Sequence, residues 1–326
     1  MTLPPHLGDT APVQFIDATT TRERLPMAPL IDALRRMFVV GCEVPQRHTH
    51  RIADARRSGV TAGTVLLMPA WRPGQRLGIK TVTVFPGNGA LDKPGLHSVY
   101  TLFDATTGEP LAQMDGNQIT ARRTAAASAL AATYLARADA QCLLVVGAGR
   151  VAALMAEAHA AVRPIRQVRV WNRSAAAARA LADRLSRAGL DATAVNDLAA
   201  AAAEADVISC ATLATAPLVL GAWLQPGTHL DLIGSFSPEM READAECFAR
   251  SRIFVDTHEA LAKSGDVLQA MAEGAFSAER LQGDLAALCR GERRGRESDR
   301  EITLFKSVGT ALEDLAAAQL VFGDAP

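Results

Sequence analysis

The sequence lacks an excess of charge of either sign. Its 34 lysine and arginine residues are balanced by 35 aspartate and glutamate residues, so the formal net charge is -1 at pH 7. Proteins that bind nucleic acids usually carry a strong basic excess that neutralises phosphates. We therefore expect no nucleic-acid partner.

Cysteine is also scarce, and no two cysteines form a C-x-x-C pair. The five residues are widely spaced, at Cys42, Cys142, Cys210, Cys247 and Cys289. This spacing argues against a disulfide framework and a zinc site, so we expect no metal. It is typical of small buried side chains in a reducing compartment.

Long apolar runs are missing as well. Residues 1–13 include Pro4, Pro5 and Asp9 and have no basic stretch followed by an apolar one, so they do not resemble a secretory signal. No uncharged apolar run reaches the ~18 residues that cross a membrane. These absences predict a cytoplasmic protein with no membrane partner.

What the sequence does contain falls into two patterns. Up to about residue 125, short β-rich runs bounded by glycine and proline, at 63–69, 77–85 and 98–104, predict a hairpin-rich sheet. A long alanine-rich helix is predicted over 119–138. From residue 140 onward, strands and helices alternate with short links, which is typical of a doubly wound parallel sheet.

The predicted fold class is therefore α/β. We expect a Rossmann-type doubly wound parallel sheet over 126–305 and a smaller α+β domain formed by 1–125 with 306–326. A final helix near 309–321 would pack back on the first domain. The charged segment 291–300 is interpreted as a solvated surface loop.

A glycine motif lies between the first strand and the first helix of the alternating region. Gly147, Gly149 and Ala152 form G-x-G-x-x-A in the strand-then-helix context that a dinucleotide site needs. The first glycine allows a tight turn, the second lets the backbone approach a pyrophosphate, and the third residue packs helix against strand. With Arg150 and Val151, these glycines are the predicted cofactor turn. The alternative is a tight turn without a ligand.

The end of the second strand bears on the choice of cofactor. An NAD site usually has an acidic residue there, whereas this chain has Asn172, Arg173 and Ser174. A carboxylate would repel a 2′-phosphate and an arginine would attract it. We therefore expect NADPH to be preferred, with NADH possible. Arg173 could instead stack on the adenine, which suits either cofactor.

Isolated cations in the first domain suggest a carboxylate site. Lys80 lies inside an apolar strand, where burial is costly unless an anion pairs with it, although it could also point to solvent. Arg122 and Arg123 are adjacent on a helix, about 100° apart, so at most one should face inward. With Arg47, two or three such cations could converge and bind a carboxylate.

Several ordered motifs together resemble the ornithine cyclodeaminase/μ-crystallin family over nearly the whole length. The matching segments are PQRHTHRI (45–52), LGIKTVTVFPGN (77–88), ITARRTAAASALAA (119–132), VVGAGRVA (145–152), VRVWNRS (168–174), GTHLDLIGSFSPEMRE (227–242) and EITLFKSVGTALED (301–314). The resemblance implies a homodimer. It also implies that the first domain binds substrate and forms the dimer interface, beside a Rossmann domain.

The resemblance also assigns individual residues. It places the carboxylate-binding positions on Arg47, Lys80 and Arg123, and so chooses Arg123 over Arg122. The further cofactor-binding candidates are Thr124, Thr212, Lys306, Ser307 and Gly309.

One departure from the family pattern concerns the reaction. Ornithine cyclodeaminases have an acid just after the small pair that follows the 227–233 strand, but this chain has Phe236 there. A phenylalanine cannot move a proton, and Asp231 lies within the strand. The GSFSPEMRE segment is similar to the branch that reduces Δ1-pyrroline-2-carboxylate to L-proline and Δ1-piperideine-2-carboxylate to L-pipecolate.

The expected activity is therefore NAD(P)H-dependent reduction of a cyclic ketimine. Lys80 could deliver the proton to the imine nitrogen if burial and neighbouring arginine charge lower the pKa of its ammonium. Alternatively, the imine could arrive already protonated from water. His48 and His50 could take part or could be surface residues. The alternatives are an ornithine cyclodeaminase, an alanine-type dehydrogenase, and a non-catalytic NADP-dependent ligand-binding protein similar to μ-crystallin.

Overall fold

The structure is a computed structural model and describes residues 12–55 and 57–324. The chain divides into two compact units. The first comprises the residues up to Pro26, Cys42–Thr120 and the segment from Asp314 onward; the second comprises Met27–Gly41 and Ala121–Glu313. This division places 27–41, 121–125 and 306–313 with the second unit, whereas the predicted boundaries group them with the first. The roles predicted for the two domains stay predictions.

The described elements are as follows. The strands are β1 (Gln14–Ile16), β2 (His48–Ala53), β3 (Thr61–Arg72), β4 (Arg76–Val84), β5 (Leu96–Asp104), β6 (Pro110–Asp115), β7 (Cys142–Val146), β8 (Gln167–Trp171), β9 (Asp191–Ala194), β10 (Val207–Cys210), β11 (Thr215–Val219), β12 (His229–Leu232), β13 (Arg241–Ala243), β14 (Arg252–Val255), β15 (Leu281–Asp284) and β16 (Thr303–Lys306). The helices are α1 (Ala18–Glu23), α2 (Met27–Val40), α3 (Gly116–Leu135), α4 (Ala152–Ala160), α5 (Ala175–Arg187), α6 (Leu198–Glu204), α7 (Ala245–Arg250), α8 (Ala260–Lys263), α9 (Gly265–Ala272), α10 (Leu285–Cys289) and α11 (Ala311–Phe322). None of these helices is long and apolar enough to cross a membrane.

The first unit is built on one sheet, with the strand order β1-β6-β5-β4-β3-β2. Strands β2 to β6 pair antiparallel, and β1 runs parallel to β6. On β4, Gly78, Lys80 and Val82 are buried while the residues between them are half-buried. This period of two shows that one face of the sheet is packed and the other is more open.

The second unit contains a parallel sheet with the strand order β15-β14-β16-β12-β10-β7-β8-β9. Every neighbouring pair in this order is parallel. The chain proceeds from β7 to β8 and β9 on one side, then crosses to β10 on the other side. The apolar run of β7 is buried along its whole length, as a central strand covered on both faces requires. The predicted fold class is confirmed.

Between β12 and β16 the chain forms several short elements that the sequence analysis did not identify. They include β13, β15 and the helices α7 to α10, which are 3 to 8 residues long. Elements this short do not complete a hydrophobic period that can be recognised in the sequence. This part of the chain supplies the buried acids Glu242 and Asp266, which reach the carboxyl end of the sheet.

The interpretation of 291–300 as a solvated loop is wrong for Arg296. Its Nε donates to the Leu135 carbonyl at 2.7 Å, and its backbone N donates to the Tyr134 carbonyl at 2.9 Å. Arg163 donates to the Thr133 carbonyl at 2.7 Å. Two arginines thus satisfy carbonyls at the carboxyl end of α3, where the helix dipole favours positive charge.

Candidate cofactor and substrate sites

The turn after β7 has the geometry that close approach of a dinucleotide needs. Gly147 has a φ of +122°, and a methyl group there would lie 2.6 Å from the Ala211 carbonyl oxygen, so glycine is required. A methyl group at Gly149 would meet no atom within 4 Å. The packing of the protein therefore leaves the space over Gly149 open, and a ligand can approach the backbone there.

Helix α4 follows this turn directly. Among the described residues, no side chain caps its amino end, and Val151 at the N-cap position is itself helical. Backbone N–H groups and the helix dipole at such an end favour an anion such as a pyrophosphate. The strand order reverses between β7 and β10, and ligands of doubly wound sheets bind at that place. Arg150 is exposed beside the turn.

The three residues after β8 are close to this turn. Val146 and Trp171 are register partners, so the strands they terminate end side by side. Ser174 caps α5 by accepting from the Ala177 N–H, and Asn172 donates to the Ser174 carbonyl at 3.2 Å. Arg173 is exposed. Two of the three predicted residues are thus engaged in local structure, and Arg173 is the one whose charge faces solvent.

Two further predicted cofactor residues, at the carboxyl ends of β10 and β16, are held by buried acids. The N–H and hydroxyl of Thr212 donate to Glu242 at 2.7 and 2.8 Å. The Lys306 ammonium lies 3.3 Å from an Asp266 carboxylate oxygen, with both side chains fully buried. Sequence reasoning identified Thr212 and Lys306 but missed both acids, because nothing local in the sequence shows that they point inward.

A third buried acid, Asp256, organises the segment after β16. Its carboxylate accepts from the Ser307 hydroxyl at 2.9 Å and from the Val308 and Gly309 N–H groups at 2.8 and 2.6 Å. Burial raises the pKa of Asp256, and these hydrogen bonds oppose the rise. The predicted Ser307 and Gly309 are therefore fixed in place at the carboxyl end of the sheet.

Both arginines of the α3 pair are buried, which corrects the expectation that at most one faces inward. Arg122 pairs with Glu157 at 2.7 Å, and Arg123 forms a short ion pair with the fully buried Glu313. A methyl group at Gly309 would lie 2.6 Å from a terminal nitrogen of Arg123. The structure thus brings Arg123 against the 306–309 segment. Thr124, next along the helix, is also buried.

Lys80 does not point to solvent. Its side chain is 2% exposed, and its ammonium lies 2.6 Å from a carboxylate oxygen of Asp314, which is fully buried. Directly across the sheet Lys80 faces Met68 on β3 and Tyr100 on β5. A methyl group at Gly78 would lie 1.9 Å from the Tyr100 hydroxyl, so the glycine is needed for this packing. The strand carries a buried charge whose partner is supplied by a distant part of the chain.

Arg47 precedes β2 by one residue. The first register pair of that strand is His48 with Leu67, so continuing the register would bring Arg47 opposite Met68, on the face that carries Lys80. His48 and His50 are exposed, and their rings stack at 6.5 Å between centroids. Placement of Arg123, which belongs to the second unit, beside Lys80 stays a prediction.

Phe236 lies in the loop after β12 and is 50% exposed, so no acidic group occupies this position. Asp231 is fully buried within β12 and accepts from the Ser128 and Ser209 hydroxyls at 3.0 and 2.6 Å. Its carboxylate is therefore engaged inside the second unit and does not substitute for the missing acid.

Comparison with known proteins agrees with the motifs. The model of the ornithine cyclodeaminase/mu-crystallin family matches residues 17–325. The chain belongs to this family.

Three similar proteins illustrate the range of the family. A Delta(1)-pyrroline-2-carboxylate reductase from Paracoccus denitrificans is 41% identical over 310 residues, 94% of this chain and 96% of the relative. The same reductase from Thermococcus litoralis, solved in complex with NADH and L-proline, has a TM-score of 0.89 at 32% identity, covering 96% of this chain and 97% of that one. An archaeal alanine dehydrogenase dimer with bound NAD has a TM-score of 0.87 at 28% identity, covering 96% of each chain.

Proposed function

We propose that this protein is an NAD(P)H-dependent reductase of cyclic ketimines. It converts Δ1-pyrroline-2-carboxylate to L-proline and Δ1-piperideine-2-carboxylate to L-pipecolate. The observation that carries the proposal is the buried Lys80–Asp314 pair, with 2.6 Å between the charged atoms, in a chain similar to named reductases. Burying an ion pair costs desolvation that the pairing repays only in part, so a buried pair of this kind marks a candidate functional site.

The carboxylate of the substrate is bound by Arg47, Lys80 and Arg123. An ammonium has three donors, so Lys80 can keep its bond to Asp314 and still donate to a second carboxylate. The arginines can add paired hydrogen bonds, which fix the orientation of the ring as well as its position. Holding the imine carbon in one place lowers the barrier by removing motional freedom before the reaction.

A reduced nicotinamide cofactor, held with its pyrophosphate over Gly147 and Gly149, would supply the hydride that C2 of the imine accepts. The imine nitrogen must gain a proton, because the C=N bond becomes CH–NH. Asp314 favours the charged form of Lys80, which opposes the expectation that the lysine readily gives up its proton. The geometry therefore favours Lys80 as the anion-binding cation and an imine that is already protonated from water.

Phe236 separates this reaction from ornithine cyclodeamination. Release of ammonia and ring closure need a group that can hold an amine or move a proton, and a half-exposed phenyl ring can do neither. Incubation of the enzyme with ornithine and NAD should give no ammonia. Rapid release of ammonia would restore the cyclodeaminase alternative.

The exposed Arg173 and the uncharged Asn172 support a preference for NADPH over NADH. Nothing acidic stands at the end of β8 to repel a 2′-phosphate, and Arg173 offers a charge that would attract one. Turnover of both cyclic imines with each cofactor tests the preference directly. Equal or faster turnover with NADH would contradict it.

The open face of the first sheet supports a homodimer. Val65, Leu67, Ile79 and Val99 share the face of the sheet opposite Lys80 and are only half-buried or exposed. A face that leaves several apolar side chains this open is a place for a partner, and the archaeal neighbour is described as a dimer. We propose that a second copy of the chain covers this face, in a cytoplasmic enzyme. Light scattering of the purified protein tests the assembly.

The central test uses the purified enzyme with NADPH, NADH, both cyclic imines and, separately, pyruvate with ammonia. The proposal expects oxidation of the reduced cofactor with the imines. Oxidation that needs ammonia and pyruvate would instead identify an alanine-type dehydrogenase, which the likeness to the archaeal structure makes a specific alternative. Saturable ligand binding without turnover of any ketimine would support a ligand-binding protein.

A further inference from the structure

Glu242 is a fully buried acid to which the sequence analysis assigned no role. One of its carboxylate oxygens accepts from the N–H and hydroxyl of Thr212, at 2.7 and 2.8 Å. The other accepts from the Gly234 N–H at 2.6 Å. Thr212 lies in the loop after β10, and Gly234 in the loop after β12. One side chain therefore ties together two loops at the carboxyl end of the parallel sheet.

These loops are tightly packed against one another and against the glycine turn. A methyl group at Gly234 would lie 2.0 Å from the Thr212 carbonyl oxygen and 2.3 Å from Glu242. A methyl group at Gly147 would lie 2.6 Å from the carbonyl oxygen of Ala211, the neighbour of Thr212. Any shift of the loop after β10 therefore changes the wall of the turn over which the dinucleotide is proposed to bind.

The backbone of Glu242 is held as firmly as its side chain. Its N–H donates to Asp266 at 2.7 Å, and the other oxygen of Asp266 lies 3.3 Å from the Lys306 ammonium. The charged and titratable groups that face Glu242 are thus Lys306 at the end of β16, Asp266 on α9 and Cys210 at the end of β10. Glu242 is thus linked to the carboxyl ends of β10 and β12 directly, and to that of β16 through Asp266.

We propose that Glu242 is a positioning residue for the nicotinamide cofactor: its ionised carboxylate fixes the loops after β10 and β12, and protonation releases one of them and weakens cofactor binding. Each carboxylate oxygen already accepts at least one donor. A proton on either oxygen takes up an acceptor position and removes the negative charge that strengthens these hydrogen bonds, so the link to that loop is weakened by about the worth of one hydrogen bond. This inference rests on the proposed function, because it assumes that a dinucleotide binds over Gly147.

The environment places this protonation near neutral pH. Burial raises the pKa of Glu242 to about 7, and the nearby Asp266 charge adds to the rise while Lys306 opposes it. The carboxylate is therefore ionised above about pH 7 and protonated below it. Cofactor affinity should be highest on the alkaline side and should fall as the pH is lowered through neutrality.

The test measures NADH binding by fluorescence titration at about pH 8 and about pH 6. NADH is the probe because it lacks the 2′-phosphate of NADPH, which itself takes up a proton at about pH 6. Wild-type affinity should fall about three- to tenfold at the lower pH, the worth of one lost hydrogen bond. Glu242→Gln cannot accept from both loops, so it should bind like the acid form of the wild type at both pH values. Glu246→Gln, an exposed acid on α7, is the matched control and should keep the wild-type response.

A second readout needs no cofactor. The pKa of Glu242 is higher in the folded protein than in the unfolded chain, so its protonated form favours folding, and its contribution to stability falls as pH rises from about 5 to about 7. Wild type should therefore lose thermal stability relative to Glu242→Gln across that interval. If the glutamine variant does not fold, Glu242→Asp keeps the charge but not the reach, and it should bind NADH more weakly while remaining sensitive to pH.

The possible failures are distinguishable. A wild-type pH response that persists in Glu242→Gln, or equal NADH affinities of the two proteins at about pH 8, would overturn this inference while leaving the reductase proposal intact. Failure of the wild type to bind either NADH or NADPH would overturn the proposed function and this inference with it.

Discussion

The two units of the molecule build their candidate sites in different ways. In the second unit the cofactor turn is a local motif, with glycines two residues apart between a strand and a helix. In the first unit the decisive pair joins Lys80 on β4 to Asp314 on α11, across most of the length of the chain. A site formed by the backbone of a glycine turn can be recognised from neighbouring residues in the sequence. A site formed by a buried ion pair depends on which strand and which helix come together in the fold.

Lys80→Met would test this contrast with the largest effect. It removes the cation that is proposed to bind the substrate and leaves Asp314 buried without its partner. We expect kcat/KM for Δ1-pyrroline-2-carboxylate to fall by at least about a hundredfold, within the range of 2–5 kcal/mol for a broken buried charge pair. Stability should also fall by about 3–5 kcal/mol.

Retained NADH binding by the Lys80→Met variant would show that the second unit is intact. Pairing the change with Asp314→Asn removes the stranded charge and should restore much of the stability without restoring activity. Wild-type kcat/KM in a folded Lys80→Met protein would show that Lys80 has no role in the reaction.

Gly149→Ala tests the other side of the comparison. A methyl group there meets no protein atom within 4 Å, so thermal stability should change little. The same methyl group would occupy the space where the pyrophosphate must approach, so the Kd for NADH should rise by at least about tenfold. Gly87→Ala, where an added methyl group also meets nothing, is the matched control and should leave both quantities unchanged. Unaltered NADH binding in Gly149→Ala would place the cofactor elsewhere.

Arg173→Ala asks whether the end of β8 selects the cofactor. The side chain is exposed, so its loss should not affect folding. We expect the KM for NADPH to rise about tenfold, as for a lost charge-assisted contact to phosphate, with little change for NADH. Equal changes for the two cofactors would indicate stacking on the adenine instead.

The smallest effect is expected at the two histidines of β2. His48 and His50 are exposed and stack on one another, and their strand pairing puts them on the face opposite Lys80. Replacing each with glutamine should leave the pH profile of ketimine reduction within about twofold of wild type. A lost limb in that profile would make one of them a proton-transfer group.

Much of the fold followed from local patterns. The alternation of strands and helices that is predicted from residue 140 onward is present in the structure, where β7, β8 and β10 are strands of the parallel sheet. Apolar runs between glycine turns predict such strands well because burial on both faces leaves a continuous signal. The short elements between β13 and α10 gave no such signal. Arg296 was misassigned because Leu135, whose carbonyl accepts from its side chain, lies 161 residues away in sequence.

In the candidate site, too, the sequence did not reveal partners that are distant along the chain. Lys80 attracted attention because a charge interrupts an apolar run, but the sequence could not show that Asp314 would meet it. Glu242, Asp256 and Asp266 look like ordinary acids in the sequence, yet all three are buried at the end of the parallel sheet. Burial of a charge depends on long-range packing, so it is not visible in the neighbouring residues.

The order of the residues alone determined that this chain has a Rossmann-type sheet with a glycine turn, because turn geometry and strand burial depend on a few neighbours at fixed spacing. Folding decided which charges are neutralised. Lys80, Arg123 and Lys306 each meet a buried carboxylate from another element, and only a packed interior can supply a partner over such distances in sequence.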